Sequence, residues 1–154
     1  MKKSFLLLLS SVLLFGTSCK KNLSPEEQFE KDIKIIKEYI ADKSLNAEET
    51  NSGLHYVVLD EGTGNFPYSN DDVTVRYKGY TTNGNVFDQS DEEGITFNLQ
   101  QVIKGWTQGI TKFKEGGKGI LLIPSKLAYG EKGAGSIKPN TVLIFDVDLL
   151  MIVD

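Results

Sequence analysis

Five short blocks between Val73 and Leu150 hold the residues on which chemistry could rest: VRYKG (Val75–Gly79), VFDQS (Val86–Ser90), VIKGW (Val102–Trp106), AYG (Ala128–Gly130) and FDVDLL (Phe145–Leu150). They supply aromatic and apolar walls, the hydroxyls of Tyr77 and Tyr129, and a carboxylate at Asp88. No convincing nucleophile, histidine base or metal cluster accompanies them. The single cysteine, Cys19, and the single histidine, His55, both lie outside the blocks. Any chemistry in a pocket lined by this set must therefore come from shape and desolvation rather than from proton or covalent traffic.

Other constellations are weaker. Glu115-Gly116-Gly117-Lys118-Gly119 resembles a phosphate loop, but it lacks the spacing and the Ser/Thr of one and precedes a strand, so it reads as a turn. His55 has no partner for a triad or a metal site and reads as strand surface. Asp91, Glu92 and Glu93 lack the alternating ligands and glycine of a calcium loop and read as a solvated charge run. Asp146 and Asp148, two apart on a strand and so about 7 Å apart, fall in the separation range of an inverting glycosidase pair. No sugar-binding aromatic groove goes with them. Neither a metal nor a cofactor is expected.

The elements that must position the blocks follow from periodicity. Leu54 to Leu59 reads as a first strand. Val73, Val75 and Tyr77 alternate with Thr74, Arg76 and Lys78, a period of two. Asn83-Gly84 is the turn that brings the chain back toward Phe87. Ile95–Leu99 and Gly119–Ile123 read as strands, and Leu143, Phe145, Val147, Leu149 and Met151 as one face of a long last strand. Gln100 to Ile110 reads as a short helix with Val102, Ile103, Trp106 and Ile110 on one face. Its Gly105 and Gly109 each cost about 1 kcal/mol there, so packing must hold it. The fold class is α+β: a strongly bent antiparallel sheet wrapped across one short helix, preceded by an N-terminal helix. Ser24 as N-cap, Pro25 at the first helical position, and Glu26 and Glu27 in the first turn start that N-terminal helix. Phe29, Ile33, Ile36 and Ile40 give it one apolar stripe, which either docks on the domain or pairs with a second copy. Lys43 to Asn51 reads as a linker.

Residues 1–18 form a separate unit: Lys2 and Lys3, an apolar run from Phe5 to Phe15, then Gly16, Thr17 and Ser18. This is the pattern of a secretory signal, too short to span a bilayer comfortably. Cys19 directly after small residues resembles a bacterial lipobox, with Gly16 where leucine is usual, so Cys19 is the expected lipidation site. The remaining division is 19–51 for anchor, amphipathic helix and linker, and 52–154 for the globular domain. The whole chain has 17 basic and 21 acidic residues. Loss of residues 1–18 removes two lysines and no acid, leaving a net charge of −6. An acidic surface without a basic patch argues against nucleic acid, and membrane attachment would depend on lipid.

From about Ser52 onward the five blocks, in this order, resemble the FKBP-type peptidyl-prolyl cis-trans isomerases. The resemblance implies the FKBP-like fold and an enzyme that rotates X-Pro amides in proline-containing polypeptide clients, with macrolide inhibitors as further ligands, and the signal at residues 1–18 makes it an exported one. It implies that Trp106 is the floor under the proline ring, with Tyr77, Phe87, Phe97, Val102, Ile103 and Phe145 as walls and Ile137 at the rim. It also implies that the Ile103 N–H and the Tyr129 hydroxyl hold substrate carbonyls, and that Asp88 accepts from Tyr77 and sets a field beside the rotating amide. Phe87, Asp88 and Tyr129 are the expected catalytic residues. Two loops depart from the best-known members. Between Asp88 and Phe97 the chain is shorter, has no arginine to pair with Asp88, and carries Ile95 where an aromatic is common. The loop EKGAGSIKP after Tyr129 is also shortened, with small residues at Ala134 and Ser136. These changes open the rim, so prolyl binding is a firmer expectation than a fast rate. The rival expectation is a chaperone-like module that grips proline-containing or apolar segments without turnover. A cell-envelope location, lipid-anchored and facing the periplasm, and a monomer or weak dimer through the N-terminal helix complete the reading.

Overall fold

The computed structural model describes residues 23–153. The segment 1–18 and Cys19 lie outside the described residues. Helix α1 (Pro25–Asp42) begins as its sequence dictates: Glu27 N donates to Ser24 Oγ (3.1 Å) and Ser24 N donates to Glu27 Oε2 (2.8 Å), a closed capping box.

Strands β1 (Glu48–Glu49), β2 (His55–Asp60), β3 (Asp72–Thr81), β4 (Val86–Gln89), β5 (Ile95–Asn98), β6 (Lys118–Ile123) and β7 (Leu143–Val153) form one antiparallel sheet. Its order is β1-β2-β6-β7-β3-β4, with β5 also on β3. The long pair β3–β7 is the spine, and β5 and β4 divide the free edge of β3 between them: Asp72–Val75 faces β5 and Lys78–Tyr80 faces β4. Helix α2 (Lys104–Gly109) crosses the concave face, followed by a 3₁₀ turn over Ile110–Lys112.

Two cores sit on opposite faces of this sheet. On one, Trp106 and Ile110 pack with Val73, Val75, Leu121, Ile123, Leu143, Phe145 and Val147. On the other, Ile36 of α1 packs with Val57, Leu122, Val142 and Ile144. Successive residues Leu121, Leu122 and Ile123, and likewise Leu143, Ile144 and Phe145, alternate between the two cores, as the two-residue period of a strand requires. Of the α1 stripe, Ile36 and Ile40 thus pack on the chain's own sheet, while Phe29 and Ile33 lie against Gly53.

Four expectations need correction. The second helix starts at Lys104, because Asn98 captures the amides ahead of it: Gln100 N donates to Asn98 Oδ1 (2.9 Å) and Gln101 N to Asn98 O (3.0 Å). Val102 is therefore outside the helix, and Ile103 is its extended N-cap (φ −60°, ψ 148°). Met151 leaves the inward face of β7. The register slips between Thr74 and Val75, so Leu149 and Met151 face consecutive residues of β3; Met151 is exposed and Ile152 packs inward instead. His55 is buried, with its Nδ1 3.1 Å from Gly53 O and its Nε2 3.5 Å from Glu49, because β1 covers it. The same short strand interrupts the segment read as a linker.

Candidate active site

The site is assembled on the spine. Tyr77 and Gly79 of β3 face Val147 and Phe145 of β7, and Gly79 also faces Asp88 of β4. Gly79 is required there: a Cβ would sit 2.7 Å from ring carbons of both Phe87 and Phe145. Phe87 can then set its edge against Phe145 (5.5 Å, 85°). Beneath, α2 presents Trp106, only 5% exposed. Glycines on either side of it solve the problem of a weak helix, since Cβ atoms at Gly105 and Gly109 would stand 2.4 Å from Ile123 and 2.7 Å from Leu121. Their absence lets α2 lie directly on β6 and seats the indole in the sheet's hollow.

Three rings stand around the indole: Tyr77 (5.0 Å, 87°), Phe145 (5.1 Å, 87°) and Phe97 (5.2 Å, 59°). The first two are edge-to-face contacts, the arrangement aromatic quadrupoles favour. The resulting cavity of about 430 Å³ is lined by Tyr77, Asp88, Ile95, Phe97, Gln101, Val102, Ile103, Trp106, Tyr129 and Phe145. At its mouth the Tyr77 hydroxyl donates to Asp88 Oδ2 at 2.7 Å. Burial first, and then this hydrogen bond, push the Tyr77 hydroxyl well above the ordinary tyrosine range, so it stays a donor at neutral pH. Ser90 locks VFDQS to VRYKG: Tyr77 N donates to Ser90 Oγ and Ser90 N donates to Tyr77 O, each at 3.0 Å.

The Ile103 carbonyl accepts from Trp106 N (2.9 Å) and Thr107 N (3.2 Å), opening α2. Its own N–H has no protein acceptor among the described residues. Tyr129, 40% exposed, also lines the cavity. A hydrophobic box with one free N–H and one phenol above it can bind a compact apolar ring and orient the carbonyls beside it.

Eight of the ten residues singled out from the sequence as substrate-contacting line this cavity. Phe87 and Ile137 do not. Phe87 stands against Phe145, and Phe87 and Ile137 line a second groove of about 470 Å³ with Thr81, Val86 and Val142. Gln101 is a lining residue that the sequence reading missed; its place immediately before VIKGW was the available signal. The other candidate centres are dispersed. Asp148 is ion-paired with Arg76 (2.5 Å) and Asp146 accepts from Tyr80 (2.9 Å), so both carboxylates are engaged on the sheet's outer side. Glu92 pairs with Arg76 at 3.1 Å.

The sequence model of the family described as FKBP-type peptidyl-prolyl cis-trans isomerase matches residues 64–150. Among similar proteins, FKBP-type peptidyl-prolyl cis-trans isomerase FkpA of Aeromonas hydrophila is 50% identical over 119 residues, covering 75% of this chain and 44% of its own. The probable FkpA of Neisseria meningitidis is 42% identical over 142 residues, covering 80% and 52%. This chain spans about half the length of these curated relatives. Among solved structures, a peptidyl-prolyl cis-trans isomerase from Pseudomonas syringae superposes with a TM-score of 0.74 at 33% identity, over 87% of this chain and 99% of that one. FkpA from Escherichia coli gives 0.71 at 38%, over 82% and 63%. The match over the segment that builds the cavity, together with that cavity's aromatic box, places the chain in the FKBP-type peptidyl-prolyl cis-trans isomerase family.

Proposed function

We propose that this protein is a peptidyl-prolyl cis-trans isomerase acting on proline-containing segments of exported polypeptides. The observation that carries the reading is the box of Trp106, Tyr77, Phe97 and Phe145, closed at its mouth by the Tyr77–Asp88 hydrogen bond. Resonance flattens the X-Pro amide and sets a barrier of about 18–20 kcal/mol. Halfway through rotation that resonance is lost and the amide is less polar. A dry apolar cavity favours the twisted amide over the planar one, which is transition-state complementarity without bond making.

In this mechanism the proline ring rests on Trp106. The Ile103 N–H holds the carbonyl on one side of it and the Tyr129 hydroxyl holds another. Asp88, fixed by Tyr77, supplies a preorganised field beside the rotating carbonyl and moves no proton. The more open rim, with Ile95 at its edge, discriminates flanking residues poorly. Macrolides that bury their ring on the indole bind by the same floor. Cys19 is the lipid attachment site and the location is the cell envelope.

Exchange spectroscopy on a panel of X-Pro peptides tests the reading. Catalysed cis/trans exchange with a shallow dependence on the residue before proline is expected. Binding of the same peptides without any acceleration would replace the isomerase with a grip-only module.

A further inference from the structure

Asp32 of α1 is a carboxylate with no solvent exposure. A buried carboxylate is costly unless its oxygens are satisfied, and here they are. Ser125 N (2.8 Å) and Ser125 Oγ (2.5 Å) both donate to Asp32 Oδ2, and Gln28 Nε2 donates to Oδ1 (2.7 Å). Ser125, itself 2% exposed, opens the 3₁₀ turn Ser125–Leu127. Within that turn Leu127 N donates to Pro124 O and Ala128 N to Ser125 O. Tyr129, the phenol over the cavity, follows directly. The same turn is held again one residue on, where Lys126 Nζ sits 3.2 Å from the centre of the Phe29 ring. Gly53 lets α1 come this close, since a Cβ there would stand 2.6 Å from Phe29 and 2.8 Å from Ile33.

We infer that Asp32 is a positioning residue of the pocket: by gripping Ser125 it fixes the turn that presents the Tyr129 hydroxyl. Aspartate on an otherwise apolar helix face is the clue. Ser125 lies 93 positions away in sequence, and the bond joins α1 to the wall of the site rather than only to the sheet. Neither Asp32 nor Ser125 touches the cavity, so the effect runs through Tyr129.

The inference rests on the isomerase reading, and the test separates the two. Asp32→Ala frees the turn. Asp32→Asn keeps an acceptor toward Ser125, because the Gln28 amide can rotate to meet the new NH₂. In X-Pro exchange assays Asp32→Ala is expected to lower kcat/KM by about three- to tenfold, the size of one neutral hydrogen bond. The loss should fall mainly on KM, with Asp32→Asn close to wild type. In a Tyr129→Phe background, Asp32→Ala should cause no further loss. The Tyr129 ring resonances should shift in Asp32→Ala while those of Tyr80 stay. Ser125→Ala, which keeps the backbone bond, should give a smaller change of the same kind and serves if Asp32→Ala does not fold. Wild-type kinetics with an unmoved Tyr129 ring, or an undiminished loss in the Tyr129→Phe background, would overturn the inference. If the wild type itself shows no exchange, the isomerase reading falls and the Tyr129 ring shift alone decides the role of Asp32.

Discussion

Asp88 and Phe87 are neighbours on β4 with different relations to the cavity. Asp88 lines it and is held by Tyr77, whereas Phe87 braces Phe145 from behind. Asp88→Ala removes the field and Phe87→Ala lets a wall ring relax, so each is expected to slow isomerisation more than tenfold with the melt still cooperative. Both variants matching wild type in exchange rate would remove these residues from the site. Tyr77 adds a pH signature. Its folded-state value lies above the unfolded value of about 10, for reasons of burial first and the bond to Asp88 second. A raised value means the folded state holds the proton more tightly, so this contribution to stability is complete below pH 10 and is lost as pH climbs toward the folded value. Tyr80 behaves alike, through burial and its bond to Asp146. Unfolding free energy should therefore be insensitive to these groups at neutral pH and fall in strong alkali, with a shallower fall in Tyr77→Phe; identical alkaline slopes for the two proteins would refute the coupling.

Helix α1 shows what an element can and cannot reveal in sequence. Ser24, Pro25 and Glu27 announced its start, because capping is local chemistry, and the apolar stripe announced that a partner existed. Which partner was not legible from the stripe, since a sheet face and a second helix demand the same spacing. The signal lay elsewhere, in the unbroken apolar runs Leu121–Ile123 and Val142–Phe145: strands apolar at every position must be covered on both faces. The turn at Asn83-Gly84 was readable for the same local reason as the cap, and Gly84 has the positive φ (83°) it implies. Burial of His55 and the loss of Met151 from its face depend on β1 and on a register slip, and neither leaves a mark on residue types. In the site, floor and walls were legible because their blocks keep a fixed order, and Gln101 could have been read from its place before VIKGW, while the Asp32–Ser125 bond could not, being a matter of tertiary approach. Since Ile36 is fully buried between α1 and the sheet, Ile36→Ala should cost about 2–5 kcal/mol. A chain beginning near Ser52, which bares Val57, Leu122, Val142 and Ile144, should melt lower still. Chemical denaturation measures both; an unchanged midpoint for Ile36→Ala would mean that α1 is not docked in solution.

On the scale of the whole molecule, docking of α1 and the charge balance together bear on the proposed membrane attachment. Ile36 and Ile40 of α1 are packed on the chain's own sheet, and the described residues contain no helix long and apolar enough to cross a membrane. Charge does not help either, because a chain that starts at Cys19 carries a net −6 and only Lys20 and Lys21 lie beside the anchor position. Two such lysines contribute about 1 kcal/mol each at an anionic surface, too little against the repulsion of the remaining acids. The proposed attachment therefore rests on the Cys19 thiol and its lipid. From a lipid at Cys19 the stretch Lys20–Ser24 would reach at most roughly 20 Å, so the proposed anchor would hold the domain close to the bilayer. The expected outcome is that the wild type stays with membranes through a high-salt wash and takes up a labelled fatty acid, while Cys19→Ser is released or keeps its first eighteen residues. Release of the wild type by salt alone, or equal labelling of the two forms, would show that something other than a lipid at Cys19 holds the protein in place.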